Sequence, residues 1–536
     1  LRKGDIVAGI SVAGIMLPEA VAYSGIAGLP PQRALFAAIA GCLAYAAFGR
    51  SRFAVVSPTS SSAAVLAASL VGLQGANADR LFMVTVLVAM TGLILAAAAA
   101  LRLGALAALI SRPVLGGFAF GLAVTIVIHQ LPLVAGIRMT GGNIFEFAYG
   151  LLANAPHWKP ASAAVGALAL VLLVALKRLP WLPGTLLVLG AGIGASWALD
   201  LPAHGVAVVG RIDLAIAWPV LPNAGLSEAA RLLPYAFPIV LILLAESWGT
   251  IRSLALRHGD AVEPNRELGA LGAANLASAL VQGMPVGAGF SAGAASEAAG
   301  TTSKWAAMVA GSGLAILILF AGPLVARLPE PVLAAVVISA LAHALDPAPL
   351  IRLWRLGRDQ YVALAALAGV LLLGILNGLL AAVFLSFAIF IRGLATPHVA
   401  RLGRLGASHD FVDVNRHPDA EEVPGLRIWR PSQPLFFGNA ESMLGRITGQ
   451  ARAEAATSHI VISLEETFEV DTTALDALIE FDRVMATAGK TVIYARLHDR
   501  VRDLLTAAGA EAIVARSRYS VDDAVAASQD NRPTRT

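Results

Sequence analysis

Two carboxylates sit inside otherwise apolar runs: Glu19 in LPEAVAYSG and Glu246 in LILLAESWG. A charge at the centre of a bilayer costs roughly 2.5–3.5 kcal/mol on insertion scales, so such an acid marks an ion or proton path. Each lies 39 residues before a proline that opens a segment of small residues. Pro58 opens SPTSSSAA and Pro285 opens PVGAGFSAGAAS. The chemistry these segments could do is anion recognition. A helix beginning in mid-membrane directs free N–H groups and a positive dipole end at whatever lies there. Thr59, Ser60, Ser61, Ser62 and Ser291 add hydroxyl donors, and the glycines of the second segment let a ligand approach the backbone. Close helix packing by small residues explains the same segments without a ligand. The matched spacing from two buried acids weighs against that reading.

Three roles are open to Glu19: proton acceptor, partner of a cation, or structural hydrogen-bond acceptor. Withdrawal from water and a nearby anion both favour the neutral form of a carboxyl. Protonation and anion binding then favour each other, which is the physical basis of proton–anion symport. Glu246 and Thr250 lie one turn apart on one helix face, where they could share a sodium ion or hydrogen-bond the Pro285 segment. Tyr23, one turn after Glu19, is a candidate wall of the cavity or a packing residue. His129 is the one histidine deep in a span and lacks a ligand partner at i+3 or i+4, so it reads as structural rather than metal-binding. No phosphate loop, nucleophile elbow or dinucleotide fingerprint is present, which excludes ATP-driven and hydrolytic chemistry. No cofactor is called for. The coupling ion is H+, with Na+ as the alternative.

These residues need a membrane scaffold to position them, and the composition supplies one. The 536 residues have mean hydropathy +0.73, with 57% hydrophobic and 14% charged residues. A soluble chain carries about 25% charged residues. The basic excess, +4 net, falls between apolar spans rather than along one face, so it fits the positive-inside rule and not nucleic acid. The lone Cys42 permits no internal disulfide. Fourteen spans are expected, at 5–23, 33–48, 58–72, 81–101, 113–131, 163–176, 184–199, 232–250, 267–281, 290–300, 305–325, 331–345, 360–376 and 378–391. The last two divide at Asn377–Gly378, the one turn signal in that run. Arg50, Arg52, Arg102, Lys177, Arg178, Arg252, Arg257, Arg352, Arg355, Arg358 and Arg392 then fall on the side of the N-terminus, while the 72–79 loop carries no basic residue. Seven spans per half make the repeats inverted, about 1–200 and about 230–395. Short spans at matching places in two halves point to a substrate site of a transporter.

The transport domain is expected over 1–395 and a polar linker over 396–424. An α/β domain over 425–528 follows, read from strands at LRIWR, PLFFG, HIVISLE and KTVIYARL alternating with helices. Residues 529–536 read as a disordered tail.

With those motifs in view, the chain resembles the SulP/SLC26 family of anion transporters. The resemblance rests on PEAVAYSGIAGLPPQRALF at 18–36, GRSRFAVVSPT at 49–59, EPNRELGALGAAN at 263–275, the stretch from LGR at 402–404 to FGNAE at 437–441, and VDTTALDAL at 470–478, which is similar to the helix start of a STAS domain. It implies a 7+7 inverted repeat of core and gate helices, an elevator-like motion, and a homodimer in the inner (cytoplasmic) membrane. The N-terminus and the STAS domain would be cytoplasmic, the latter open to a regulatory partner. It implies an anion site made of Glu19, Tyr23, Thr59, Ser60, Glu246, Phe290 and Ser291. Relatives often carry Arg where Ala292 stands and Gln where Glu19 stands. The first departure weakens compensation of a dianion and the second favours proton coupling. Thr473 resembles a phosphorylated hydroxyl position of related regulators; Thr472 and Thr473 also suit a simple helix cap. The expected activity is secondary anion transport coupled to protons. A sodium–bicarbonate symporter and a membrane-anchored STAS signalling scaffold are the alternatives.

Overall fold

Proline and glycine divide the apolar sequence into helices. Pro31, Pro113, Pro264 and Pro331 stand in the first turns of helices, where a missing N–H costs nothing. Gly28 closes the first helix and Gly136 the one that Pro113 opens, both in the left-handed conformation that glycine adopts freely. The computed structural model describes residues 2–72, 80–104, 111–139, 144–176, 178, 184–210, 226–342, 344–454 and 457–530. Lys177 and residues 73–79, both used to assign sidedness, lie outside them.

The chain divides into two units, Leu1–Ser386 and Phe387–Thr536. The first contains α1 (Lys3–Ala27), α2 (Pro31–Phe48), β1 (Val56–Ser57), α3 (Ser60–Gly72), α4 (Arg80–Ala100), α5 (Arg112–Ala135), α6 (Ile144–Ala153), α7 (Pro160–Leu176), α8 (Gly184–Ala198), α9 (Leu226–His258), α10 (Pro264–Leu280), β2 (Gly287–Ala288), α11 (Phe290–Ala298), α12 (Trp305–Val325), α13 (Glu330–Leu341), α14 (Ala348–Leu356) and most of α15 (Gln360–Ala395). Among the described residues five helices are long and apolar enough to cross a membrane. Their outer faces present Leu93, Phe237, Leu372 and Phe384 to the surroundings, as lipid-facing helices must. Between helices, small residues allow close approach. A Cβ on Gly272 would stand 2.8 Å from the Ala96 nitrogen, which ties α10 to α4.

Three sequence expectations change here. The helices α6 and α14 were not foreseen; both are short. The break in the last apolar run is at Gly374, with φ 82° and ψ 170°, not at Asn377–Gly378. Gly378 instead lets the two halves of α15 touch: a Cβ there would lie 2.5 Å from the Val370 nitrogen. The Gly374 backbone region is open essentially to glycine alone. Gly374→Ala is therefore expected to lower stability by about 1–3 kcal/mol, read as a lower thermal unfolding midpoint in detergent.

The second unit is a seven-stranded sheet with the order β4-β3-β6-β7-β8-β9, with β5 paired to β3. Its strands are β3 (Val399–Leu405), β4 (Phe411–Asp413), β5 (Ala420–Glu421), β6 (Leu426–Pro431), β7 (His459–Ser463), β8 (Thr491–Ala495) and β9 (Ser517–Arg518). The expected linker over 396–424 thus contains β3, β4 and β5, and β3 pairs antiparallel with β6. The expected strand at PLFFG, 434–438, is a loop. The Asn439 side chain accepts from the Phe436 N–H at 2.9 Å and donates to the Pro434 carbonyl at 3.0 Å, folding it into a helix entry. Helices α16 (Ala440–Ala453), α17 (Thr472–Thr487) and α18 (Asp499–Ala507) pack on one face of the sheet; α19 (Glu511–Ala515) follows them. Helix α20 (Val521–Asp530) packs on the other face and takes up the first two residues of the expected tail. The hydrogen bond from His409, together with the nearby Arg404 guanidinium, holds the Asp522 carboxyl below its usual range.

Candidate anion-binding site

The site begins with two residues of strand from each half. Val56 pairs with Ala288 and Ser57 with Gly287, antiparallel, so α3 and α11 leave the pair in opposite directions with their N-termini close together. Buried side chains hold this pair in place. The Asn275 side chain donates to the Val286 carbonyl at 2.9 Å and accepts from the Val286 N–H at 3.0 Å. Ser247 Oγ accepts from the Ala288 N–H at 3.0 Å. Ser278 Oγ donates to the Met284 carbonyl at 2.7 Å, and Cys42 Sγ donates to the Val56 carbonyl at 3.3 Å.

The two helix starts are unlike. Thr59 caps α3: its Oγ1 accepts from the Ser62 N–H at 3.1 Å, and Ser62 Oγ accepts from the Thr59 N–H at 3.1 Å, a reciprocal box. Gly289 caps α11 with no side chain. Pro58 and Pro285 are correspondingly not equivalent. Pro58 follows its strand, whereas Pro285 precedes its strand and α11 starts five residues later. The equal spacing from Glu19 and Glu246 is a coincidence of number, although both acids do arrive at the site.

They arrive crosswise. Ser291 Oγ, from the second half, donates to Glu19 Oε1 at 3.1 Å. Thr59 Oγ1, from the first half, donates to Glu246 Oε2 at 3.0 Å, and Ser61 reaches Glu246 as well. The Tyr23 hydroxyl reaches Ser291. Glu19, Tyr23, Thr59, Ser60, Glu246, Phe290 and Ser291 all line one cavity of about 190 Å³. Apolar residues also line it, among them Leu115, Phe118 and Leu122 of α5 with Leu341 and Ala344 at and beyond the end of α13. No Lys, Arg or His is among its described lining residues.

Other expected site residues lie elsewhere. Thr250 is buried with its methyl group against Gly293 and does not line the cavity. The His129 Nδ1 pairs with the Thr125 carbonyl at 2.7 Å and its ring stacks on Phe147. Thr473 is exposed at the second position of α17. Neither it nor Thr472 is the cap. Asp471 is: its side chain accepts from the Ala474 N–H at 2.8 Å and from the Phe437 N–H at 2.7 Å. Asp471→Ala is expected to cost the second unit about 0.5–2 kcal/mol and Thr473→Ala less than about 0.5 kcal/mol, a difference that thermal unfolding resolves. The sequence reading gave no role to Ser247, Asn275 or Ser278. Their one local signal is that each is a small polar residue inside a helix. Another such lock, Glu267, accepts from the Tyr45 hydroxyl and, at 3.0 Å, from the Arg50 N–H, joining the end of α2 to α10.

Comparison with known proteins shows the family. The Sulfate permease family profile matches residues 3–367 and the STAS domain profile residues 417–524. A probable sulfate transporter of Mycobacterium tuberculosis is 33% identical over 94% of this chain and 91% of its own length. Human solute carrier family 26 member 6 is 30% identical over 82% of this chain and 61% of its own length. The structure of the murine solute carrier 26 family member A9 anion transporter, in the inward-facing state, superposes with a TM-score of 0.89 at 21% identity, covering 99% of this chain and 92% of that one. The chain is a multi-pass membrane transporter, not an enzyme, and it belongs to the Sulfate permease (SulP/SLC26) family with a C-terminal STAS domain.

Proposed function

We propose that this transporter is a proton-coupled symporter of a small anion, working by alternating access across the cytoplasmic membrane. The single observation that carries the reading is the cavity in which two helix starts and two crosswise-bonded carboxylates face one volume, with no Lys, Arg or His among its described lining residues. Peptide dipoles attract the anion, and a proton on Glu19 removes the like charge beside it. Glu246 ties α9 to α3 through Thr59. The core elements α1, α3, α9 and α11 carry the site, and α5 and α13 form the opposing wall; an elevator-like slide of one set past the other would expose it to alternate sides. In this reading the helices form seven-plus-seven inverted repeats with a cytoplasmic N-terminus and STAS domain, and the protein works as a homodimer in which STAS receives regulatory partners. Thr250, the second ligand in the sodium–bicarbonate alternative, is not among the described residues that line the cavity, which favours the proton reading.

The test is uptake of a panel of labelled inorganic and carboxylate anions by full-length protein in liposomes, under an inward proton gradient, an inward sodium gradient, or neither. Uptake accelerated by the proton gradient alone is expected. Acceleration by sodium alone would replace this mechanism with the alternative.

A further inference from the structure

Resting on the anion specificity of that reading but not on its proton coupling, we infer that a small monoanion is held first at a second station, in a neighbouring cavity around Gln130 and Arg138. Helices α1, α3, α5 and α13 line both cavities in succession. On α1 Tyr23 lines the first and Gly25 the second; on α3 the residues are Ser61 and Ala68. On α5 they are Leu122 and Gln130, and on α13 Leu341 and Leu333. At about 1.5 Å per residue, Gln130 lies about 12 Å beyond Leu122 along the helix. Helix α1 runs from the N-terminus past Glu19 to this second cavity. An anion arriving from the face opposite the N-terminus therefore meets it before the anion site.

Two side chains give the station its chemistry. Gln130 lines the cavity while only 6% exposed, and its amide bonds to none of the described residues. A polar group so far withdrawn from water needs a partner, and the two N–H donors of an amide suit an anion. Ser24, Thr125 and Asn377 also line the cavity, but each donates to a carbonyl of its own helix. Arg138 is the one Lys or Arg among the described lining residues, and Glu330 the one carboxyl. Arg138 acts on Glu330 across space, with no ion pair or hydrogen bond between its guanidinium and the described residues. Most other lining residues are apolar, and low-dielectric walls strengthen the pull of a fixed charge. Glu330 offsets part of that charge, which favours a monoanion over a dianion.

Thiol reactivity tests this whatever ion is transported. The native Cys42 is buried, so a cysteine introduced into the cavity reports on it. Intact cells expressing full-length Ala68→Cys are treated from outside with a sulfonate-bearing methanethiosulfonate and with its trimethylammonium twin. Val71→Cys, at the exposed end of α3, controls for access. Gluconate holds the ionic strength, so that screening cannot mimic binding. Chloride, nitrate, bicarbonate or acetate is expected to slow modification of Ala68→Cys saturably, with sulfate weaker, and Gln130→Leu to remove that protection. Arg138→Gln is expected to lower the anionic-to-cationic rate ratio about threefold to thirtyfold, and Glu330→Gln to raise it. Two residues that merely brace one another would not shift the ratio in opposite directions. No reaction at Ala68→Cys from outside overturns the inference, whether or not Val71→Cys reacts. So does protection by none of the anions, which leaves Gln130 to water alone, or sulfate protecting as well as the best monoanion. An unmoved rate ratio, or protection that survives Gln130→Leu, does the same. No proton gradient enters these measurements. Saturable protection beside uptake that ignores the proton gradient keeps the station and removes the coupling; gradient-driven uptake without protection does the reverse.

Discussion

Glu19→Gln is expected to abolish acid stimulation of transport while leaving slow basal uptake and the fold. Glutamine has nearly the same volume, and its carbonyl oxygen can accept the Ser291 hydroxyl as Glu19 Oε1 does at 3.1 Å. What it cannot do is exchange a proton. In the native protein, lowering the external pH is expected to add a proton at Glu19, remove the charge opposing the anion, and raise uptake. Coupling energies between sites typically correspond to a 5–150-fold change in affinity. A rise within about that range between neutral and acidic pH is therefore expected for the native protein, and a flat profile for the variant. The measurement is initial uptake against external pH at fixed membrane potential, with the thermal midpoint as a check on folding. Glu246→Gln is the companion. Glu246 accepts from both Thr59 and Ser61, and glutamine offers one acceptor oxygen where the carboxylate offers two, so this change should loosen the helix start and raise KM while the pH slope survives. If the slope instead vanishes with Glu246 and persists without Glu19, the proton resides on the other acid.

The two acids were legible because charge inside an apolar run is costly enough to require a reason, and the structure brings both to one cavity. The strand pair that holds them was not legible. Two residues of strand carry no period, and the partners lie more than two hundred residues apart, Val56 against Ala288. Without that pair in view, Pro58 and Pro285 looked equivalent. The same limit hid β3 in a segment that reads as a linker: its partner β6 is an independent stretch of sequence, and β-pairing is a nonlocal decision. Gly374 was passed over for a different reason. Glycine reports a bend and a close helix contact with the same letter, and in the run that ends at Ile391 Gly374 is the bend and Gly378 the contact. The site's hydroxyls were readable from composition. Which carboxylate each one serves was not, because each bond crosses between the two halves.

That crossing gives Asn275 its weight. The residue is fully buried and touches no part of the cavity, yet it holds both the N–H and the carbonyl of Val286, one residue before β2. Asn275→Ala leaves a buried donor and a buried acceptor unpaired, at about 1–3 kcal/mol each. Much of that cost can be avoided if β2 moves, and movement of β2 displaces the start of α11 with Ser291. Part of the penalty should therefore appear in binding: KM for the transported anion is expected to rise about tenfold to a hundredfold, since each 1.4 kcal/mol is tenfold. Ser278→Ala frees only the Met284 carbonyl and should cost about 0.5–1.5 kcal/mol, chiefly in stability. Initial-rate kinetics and thermal unfolding on the same preparations separate the two variants. An unchanged KM in Asn275→Ala beside a large fall in unfolding temperature would make Asn275 a support of the fold alone. A raised KM with a smaller fall in unfolding temperature would show that the anion's affinity depends on how firmly one asparagine in the core fixes a two-residue strand.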